Sequence, residues 1–149
     1  MEILYVGTAI LFQVALIIHF ALRKWYFALY IMKYGWSLYA LSVPAAVVSL
    51  ILLRGGMAWG FWLGGFIFLV WALFGYTIEY RMRIQWRAPI RWQFFGPYIL
   101  LYLATVMFYW WPLALISKTL WVVEAVLFIG STILNLTSHK SPQDGPGIK

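Results

Sequence analysis

The chain has 149 residues, of which 64% are hydrophobic and only 10% charged, with a net charge of +7 and a mean hydropathy of +0.85. A soluble domain averages about half apolar and a quarter charged residues, and a disordered chain is poor in aromatics. With 10 Trp, 10 Tyr and 11 Phe, the chain is neither, and the bilayer is its solvent. Cysteine is absent, which removes disulfides, thiolate metal sites, covalent haem attachment and cysteine nucleophiles.

A span needs about 20 mostly apolar residues, and the sequence offers five such stretches. The first covers about 3 to 22; Glu2 stands where a signal peptide carries basic residues, and no small-residue cleavage site follows, so it reads as a retained span. Residues 23 to 35 mix Arg23, Lys24 and Lys33 with Trp25, Tyr26, Tyr30 and Tyr34, a composition suited to headgroup depth. The second span covers about 36 to 53, and Pro44 near its centre releases the Ala40 carbonyl, which predicts a kink. Arg54, Gly55 and Gly56 turn the chain into the third span, about 57 to 76.

The stretch 77 to 95 sets Tyr80, Met82, Ile84 and Trp86 against Arg81, Arg83, Gln85 and Arg87. A period of two predicts an extended amphipathic segment at the interface. The fourth span opens at Gly96 with Pro97 in its first turn and covers about 97 to 116. Ser117, Lys118 and Thr119 form a turn, the fifth span covers about 120 to 137, and 138 to 149 reads as a mobile tail with Pro142 and Pro146. So much of the chain lies in spans that residues 1 to 137 form one membrane domain.

Orientation follows from the basic residues, which concentrate on cytoplasmic connections. Arg23, Lys24, Lys33, Arg81, Arg83, Arg87, Arg91, Lys140 and Lys149 fall on one side, and Arg54 and Lys118 on the other. The expected fold is therefore all-α, an integral bundle of five transmembrane helices, N-terminus outside and C-terminus cytoplasmic, in the cytoplasmic membrane of a prokaryote. Two aromatic belts agree: Trp59, Trp62, Trp110, Trp111 and Trp121 at the outer ends, Trp25, Trp36, Trp86 and Trp92 at the inner. Trp71, Phe66, Phe68 and Phe74 lie too deep for a belt, and read as packing or lipid contact.

Glu124 is the only acid inside these spans, about 7 to 8 Å below the outer boundary. A carboxylate there faces the bundle or a wet cavity, is protonated, or pairs with Arg54 or Lys118. Ser131, Asn135 and His139 follow within about 60° of it, so one face of the fifth helix is polar. That stripe suits interhelical hydrogen bonding, or else a proton or ion path. Gln13, about 16 Å deep in the first span, must satisfy its amide inside the bundle. His19 and His139 fall near the same depth, a minimal and weak signal for haem or metal, and read as interfacial; no metal site is expected.

Gly56, Gly60 and Gly64, with Gly65 beside them, repeat every fourth residue and make a close-packing face. Its partner is the second span, with Ala45, Ala46 and Ser49, or a second protomer. Arg81, Arg83, Arg87 and Arg91 suit anionic lipid headgroups at about 1 kcal/mol each, or a partner protein; nucleic acid does not suit a short membrane-pinned loop. Walker, HExxH, paired-Asp and GxSxG signatures are all missing, which disfavours an ordinary membrane enzyme.

The first functional expectation is a non-enzymatic multi-pass protein, an accessory subunit or a binder of a lipid, pigment or isoprenoid. Glu124 and the outer tryptophans would form its polar-tipped pocket. The alternative is a small oligomeric transporter or channel with Glu124, Ser131, Asn135 and Gln13 along a path, and the third is a lipid-modifying enzyme using Glu124. Membrane lipids, a hydrophobic small molecule and a homo-oligomer or larger membrane complex are the expected partners, and the sequence names no cofactor.

Overall fold

In hydrocarbon every backbone N–H and C=O must bond within its own segment, so the apolar stretches become helices. The computed structural model describes residues 1–26, 33–84, 86 and 89–138. Expectations for 27–32, for Arg87 and for the tail beyond Ser138, His139 included, lie outside the described residues.

The helices are α1 (Glu2–Trp25), α2 (Ser37–Ala40), α3 (Ser42–Arg54), α4 (Trp59–Tyr76) running on through a π-helical stretch (Thr77–Arg81), α5 (Trp92–Trp110), α6 (Leu113–Ile116) and α7 (Lys118–Thr137). Among the described residues they make five helices long and apolar enough to cross a membrane: Glu2–Trp25, Ser37–Arg54, Trp59–Arg81, Trp92–Ile116 and Lys118–Thr137. One end of the bundle carries Arg23, Lys24, Arg81, Arg83 and Arg91 and is called here the basic end; the other carries Met1.

Proline sets the breaks. The second span is interrupted at Leu41, just after the Ala40 carbonyl that Pro44 leaves without its helical donor. The fourth is interrupted at Trp111 and Pro112, which splits the expected continuous helix into α5 and α6. Pro97 sits inside α5 rather than in its first turn, because the helix already starts at Trp92 after an extended Arg91, whose carbonyl accepts from Phe94 and Phe95.

The period-two reading of 77 to 95 needs correction. Helix continues to Arg81 because Ile78, 3% exposed, extends the buried face of Trp71, Ala72 and Gly75 by one more turn. Burial on a helical period outweighs local alternation, and the true connection shrinks to 82–91. Within it Arg83 adopts a left-handed φ of 52°, a conformation unusual for a residue with a side chain.

Helix α4 is the centre of the bundle, packed on α3 along one side and α5 along the other. Helices α1 and α7 form a second unit, the first and last spans lying side by side and parallel, since an odd number of crossings gives both the same direction. Tyr5, Ala9, Phe12, Leu16 and Phe20 make the inward stripe of α1 at a spacing of four or three. Phe12 reaches across to Phe68 and Tyr109 at ring distances of 4.8 and 4.9 Å. The deep aromatics Phe68 and Trp71 are 1% and 2% exposed, and they are core.

The glycines divide among neighbours. A Cβ on Gly64 would lie 3.3 Å from the Phe108 backbone, and one on Gly60 2.7 Å from the Trp111 ring, so both face α5 and the turn after it. Gly65 faces Ala45 and Ser49 of α3, and Gly56 takes a turn with φ +72° and open space beside it. At Gly65 a methyl would come within 2.5 Å of the Ala45 carbonyl oxygen, a backbone atom that cannot swing away. Gly65→Ala is therefore expected to destabilise by about 1–3 kcal/mol, read by thermal unfolding in detergent, whereas Gly130→Ala, with nothing within 4 Å, leaves the transition in place.

Candidate functional site

Helix α7 presents an apolar face to its surroundings: Val122, Val123, Val126, Ile129, Ile133 and Leu136 are all exposed. Its only fully buried residues are Glu124 and Ser131. Polar side chains therefore make its deepest attachment to the bundle, with Leu120, Phe128 and Leu134 packed partly against the core. Gln13 Nε2 donates to Ser131 Oγ at 2.7 Å, and Ser131 in turn donates to the Phe128 carbonyl. Nearer the basic end Arg23, 4% exposed, donates through Nε to Ser138 Oγ at 2.9 Å and through Nη2 to the Asn135 side-chain oxygen. The Phe20 ring lies 5.0 Å from the guanidinium carbon.

Towards the Met1 end Glu124 is 2% exposed and its Oε2 has no hydrogen-bond partner. Arg54 and Lys118 are both exposed and leave that oxygen unpaired. Its electrostatic neighbour is Tyr5 of α1. The Tyr5 hydroxyl is shared between the carbonyls of Phe108 and Tyr109, at 2.8 and 2.9 Å. Pro112 explains the first: its missing N–H leaves the Phe108 carbonyl without a helical donor, and a phenol from another helix supplies one.

The outer tryptophans form two separate ring contacts. Trp59 meets Trp111 at 5.5 Å, and Trp110 stacks on Trp121 at 5.1 Å while its Nε1 donates to the Trp121 carbonyl. Trp59, Trp111 and Trp121 are exposed, as rim residues are; Trp62 is half-buried beside Phe66.

A cavity of about 390 Å³ lies at the other end, between α1, α4, α5 and α7. Phe20, Trp71, Trp86, Phe95, Tyr98 and Tyr102 give it aromatic walls, Arg23 and Asn135 give it polarity, and Ile90, Ile99 and Leu136 complete the lining. Glu124 and the outer tryptophans are not part of it. The rings brace one another: Trp86 stands 4.9 Å from Tyr98, and Trp71 stands 5.5 and 5.4 Å from Tyr98 and Tyr102. Tyr39 donates to Glu79 Oε2 at 2.8 Å, so the 3.2 Å contact between Tyr39 and Tyr98 uses the Tyr98 proton. Glu79 thus lies on a spanning helix, beyond the sequence boundary at 76. Ile90 and Leu136, 52% and 71% exposed, mark the side where the cavity opens between α5 and α7.

Sequence reasoning put Glu124, Ser131 and Asn135 on one face of the fifth span and set Gln13 with them along a path as its alternative, and the structure brings Gln13 to Ser131 and Asn135 to Arg23. It did not find Arg23, Trp86, Tyr98 or Tyr102 as site residues. Arg23 counted there as an interfacial charge; the available signal was the Asn135 and Ser138 pair, acceptors on the buried side of α7 at the depth an arginine at the end of α1 reaches. Of the expected headgroup residues, Arg81, Arg83 and Arg91 are exposed at the basic end. Among the described residues no three of His, Asp or Glu gather as a metal site would require. No family model, no curated protein and no solved structure matches this chain.

Tyr5→Phe removes the donor that the Phe108 and Tyr109 carbonyls share. It is expected to lower stability by about 1–2 kcal/mol in a denaturation series in detergent, while Thr8→Val, whose hydroxyl bonds only its own helix at the exposed Leu4 carbonyl, changes little.

Proposed function

We propose that this protein binds a hydrophobic small molecule that enters from the bilayer and lodges in the cavity between α1, α4, α5 and α7. The cavity itself carries the reading. Its volume of about 390 Å³ falls within the range of small-molecule sites, about 300–1,000 Å³, and its lining has the usual proportions, mostly apolar and aromatic with a few polar groups. Its open side bears Ile90 and Leu136, apolar residues that suit an entrance from lipid. The basic end faces the cytoplasm by the distribution of Lys and Arg, which puts the cavity at the level of the inner leaflet's headgroups. Exposed Arg81, Arg83 and Arg91 then hold that end against anionic lipid. The protein acts as a carrier, sensor or accessory subunit for its ligand.

Relative to the expectation from sequence, the ligand moves from the Glu124 end to the Arg23 end. A second reading, transport along α7, is favoured by one observation, the unpartnered Oε2 of buried Glu124. Below it Gln13 Nε2 is bonded to Ser131 while Gln13 Oε1 has no partner, so the path is closed in part and transport ranks second. Native mass spectrometry of the protein released from mild detergent tests the first reading: the wild type is expected to carry a defined extra mass, and Ile99→Trp, which fills the cavity, to lose it. A bare wild-type chain, or retention unchanged by Ile99→Trp, contradicts it.

A further inference from the structure

We infer that Glu79 is a positioning residue for the cavity, acting through Tyr39 to hold the Tyr98 ring back in the wall. The inference rests on the cavity being a binding site, as proposed above. Glu79 lies in the π-helical turn Thr77–Arg81, where the Met82 N–H bonds the Thr77 carbonyl five residues back. Such turns are rare and recur at functional sites. Glu79 comes four residues after Gly75, so the two share one face of the helix. A Cβ on Gly75 would lie 2.7 Å from the Tyr39 hydroxyl and 2.8 Å from the nearest ring carbon. The bare glycine therefore lets the phenol lie against the helix, and from there it donates to Glu79 Oε2 at 2.8 Å.

Tyr39 is buried, with the Trp71 and Tyr80 rings 5.9 and 6.2 Å away, so its oxygen has a fixed place. With its proton given to Glu79, that oxygen is an acceptor for the Tyr98 hydroxyl 3.2 Å away. Tyr98 has different surroundings: it is half-buried and lines the cavity, where Trp86 and Trp71 meet it at interplanar angles of 53° and 56°. A ring that faces a cavity on one side reaches its other staggered rotamers unless something holds it. The bond to Tyr39 supplies that hold, and Glu79 sets the direction of the Tyr39 proton. Without the tie Tyr98 turns into the cavity and fills space that a ligand needs. Glu79 and Tyr39 are not among the residues that line the cavity, so both act on the ligand through Tyr98.

Titration of N-phenyl-1-naphthylamine, an apolar fluorophore that accepts energy from tryptophan, into the full chain in detergent tests this, with Ile99→Trp as the filled-cavity control. The wild type is expected to bind the probe and Ile99→Trp to lose it. Glu79→Ala is expected to raise Kd about 3–10-fold. Glu79→Gln, which keeps an oxygen to accept from Tyr39, is expected to restore Kd to within about twofold of wild type. Tyr39→Phe and Tyr98→Phe each delete a single oxygen from the same hydrogen-bonded row; both are expected to match Glu79→Ala, which adds nothing in either background. These two variants carry the test should Glu79→Ala fail to fold. Wild-type affinity in Glu79→Ala or Tyr39→Phe, no rescue by glutamine, or losses that add in the double variants overturn the inference while the cavity reading stands. A wild type that does not bind the probe, or binding unchanged by Ile99→Trp, removes both.

Discussion

No apolar side chain of the last helix is fully buried, and Leu120, Phe128 and Leu134 pack only partly against the core. In water, burying the valines and isoleucines of α7 would fix it to the bundle, but in lipid an apolar side chain gains little by exchanging acyl chains for protein. The two fully buried positions of α7 are Glu124 and Ser131, and the neighbouring contact is Arg23 with Asn135 and Ser138. The fully buried attachment of α7 is therefore polar and made to α1, with the partly buried Leu120, Phe128 and Leu134 packed beside it. Their spacing also sets direction: Tyr5 near Glu124, Gln13 on Ser131 and Arg23 on Asn135 and Ser138 advance together along both helices, which only a parallel pair permits.

The cavity follows from that pairing. Arg23, Asn135 and Leu136 are part of its lining, and they reach it because the α1 and α7 pair meets the α3, α4 and α5 layer mainly through the apolar stripe of α1. Helices α5 and α7 touch lightly, and the gap between them is the entrance. The aromatic rings that frame the cavity come from the opposite layer, where Trp71 extends the buried face of α4 and Tyr98 is held by Tyr39. Proline contributes at the far end: Pro112 frees a carbonyl, and Tyr5 ties α1 to α5 by capping it.

The spans were legible because apolar length is a coarse and redundant signal. The stripe on α7 was legible too, because Glu124, Ser131 and Asn135 are rare residue types there and helical geometry puts them on one face. Boundaries were less so. At 77 to 81 a two-residue alternation and a buried helical face coexist in the same letters, and only the presence of Trp71, Ala72 and Gly75 in the core decides for Ile78. Arg23 was hidden for a similar reason: an arginine at the end of a span usually sits among headgroups, and nothing local distinguishes one that turns inward to Asn135. The site at the basic end was illegible because its walls come from four helices, and aromatic residues that line a cavity look, letter by letter, like those that pack a core.

The most direct test of this account is a double-mutant cycle on Gln13 and Ser131, unfolding wild type, Gln13→Leu, Ser131→Ala and the double variant in the same detergent. The side-chain bond between them predicts a coupling of about 0.6–1.7 kcal/mol, the size of interhelical bonds measured in membrane proteins. Strict additivity would mean that α1 and α7 are not joined there, and the parallel pair and the cavity it helps to build would both have to be abandoned.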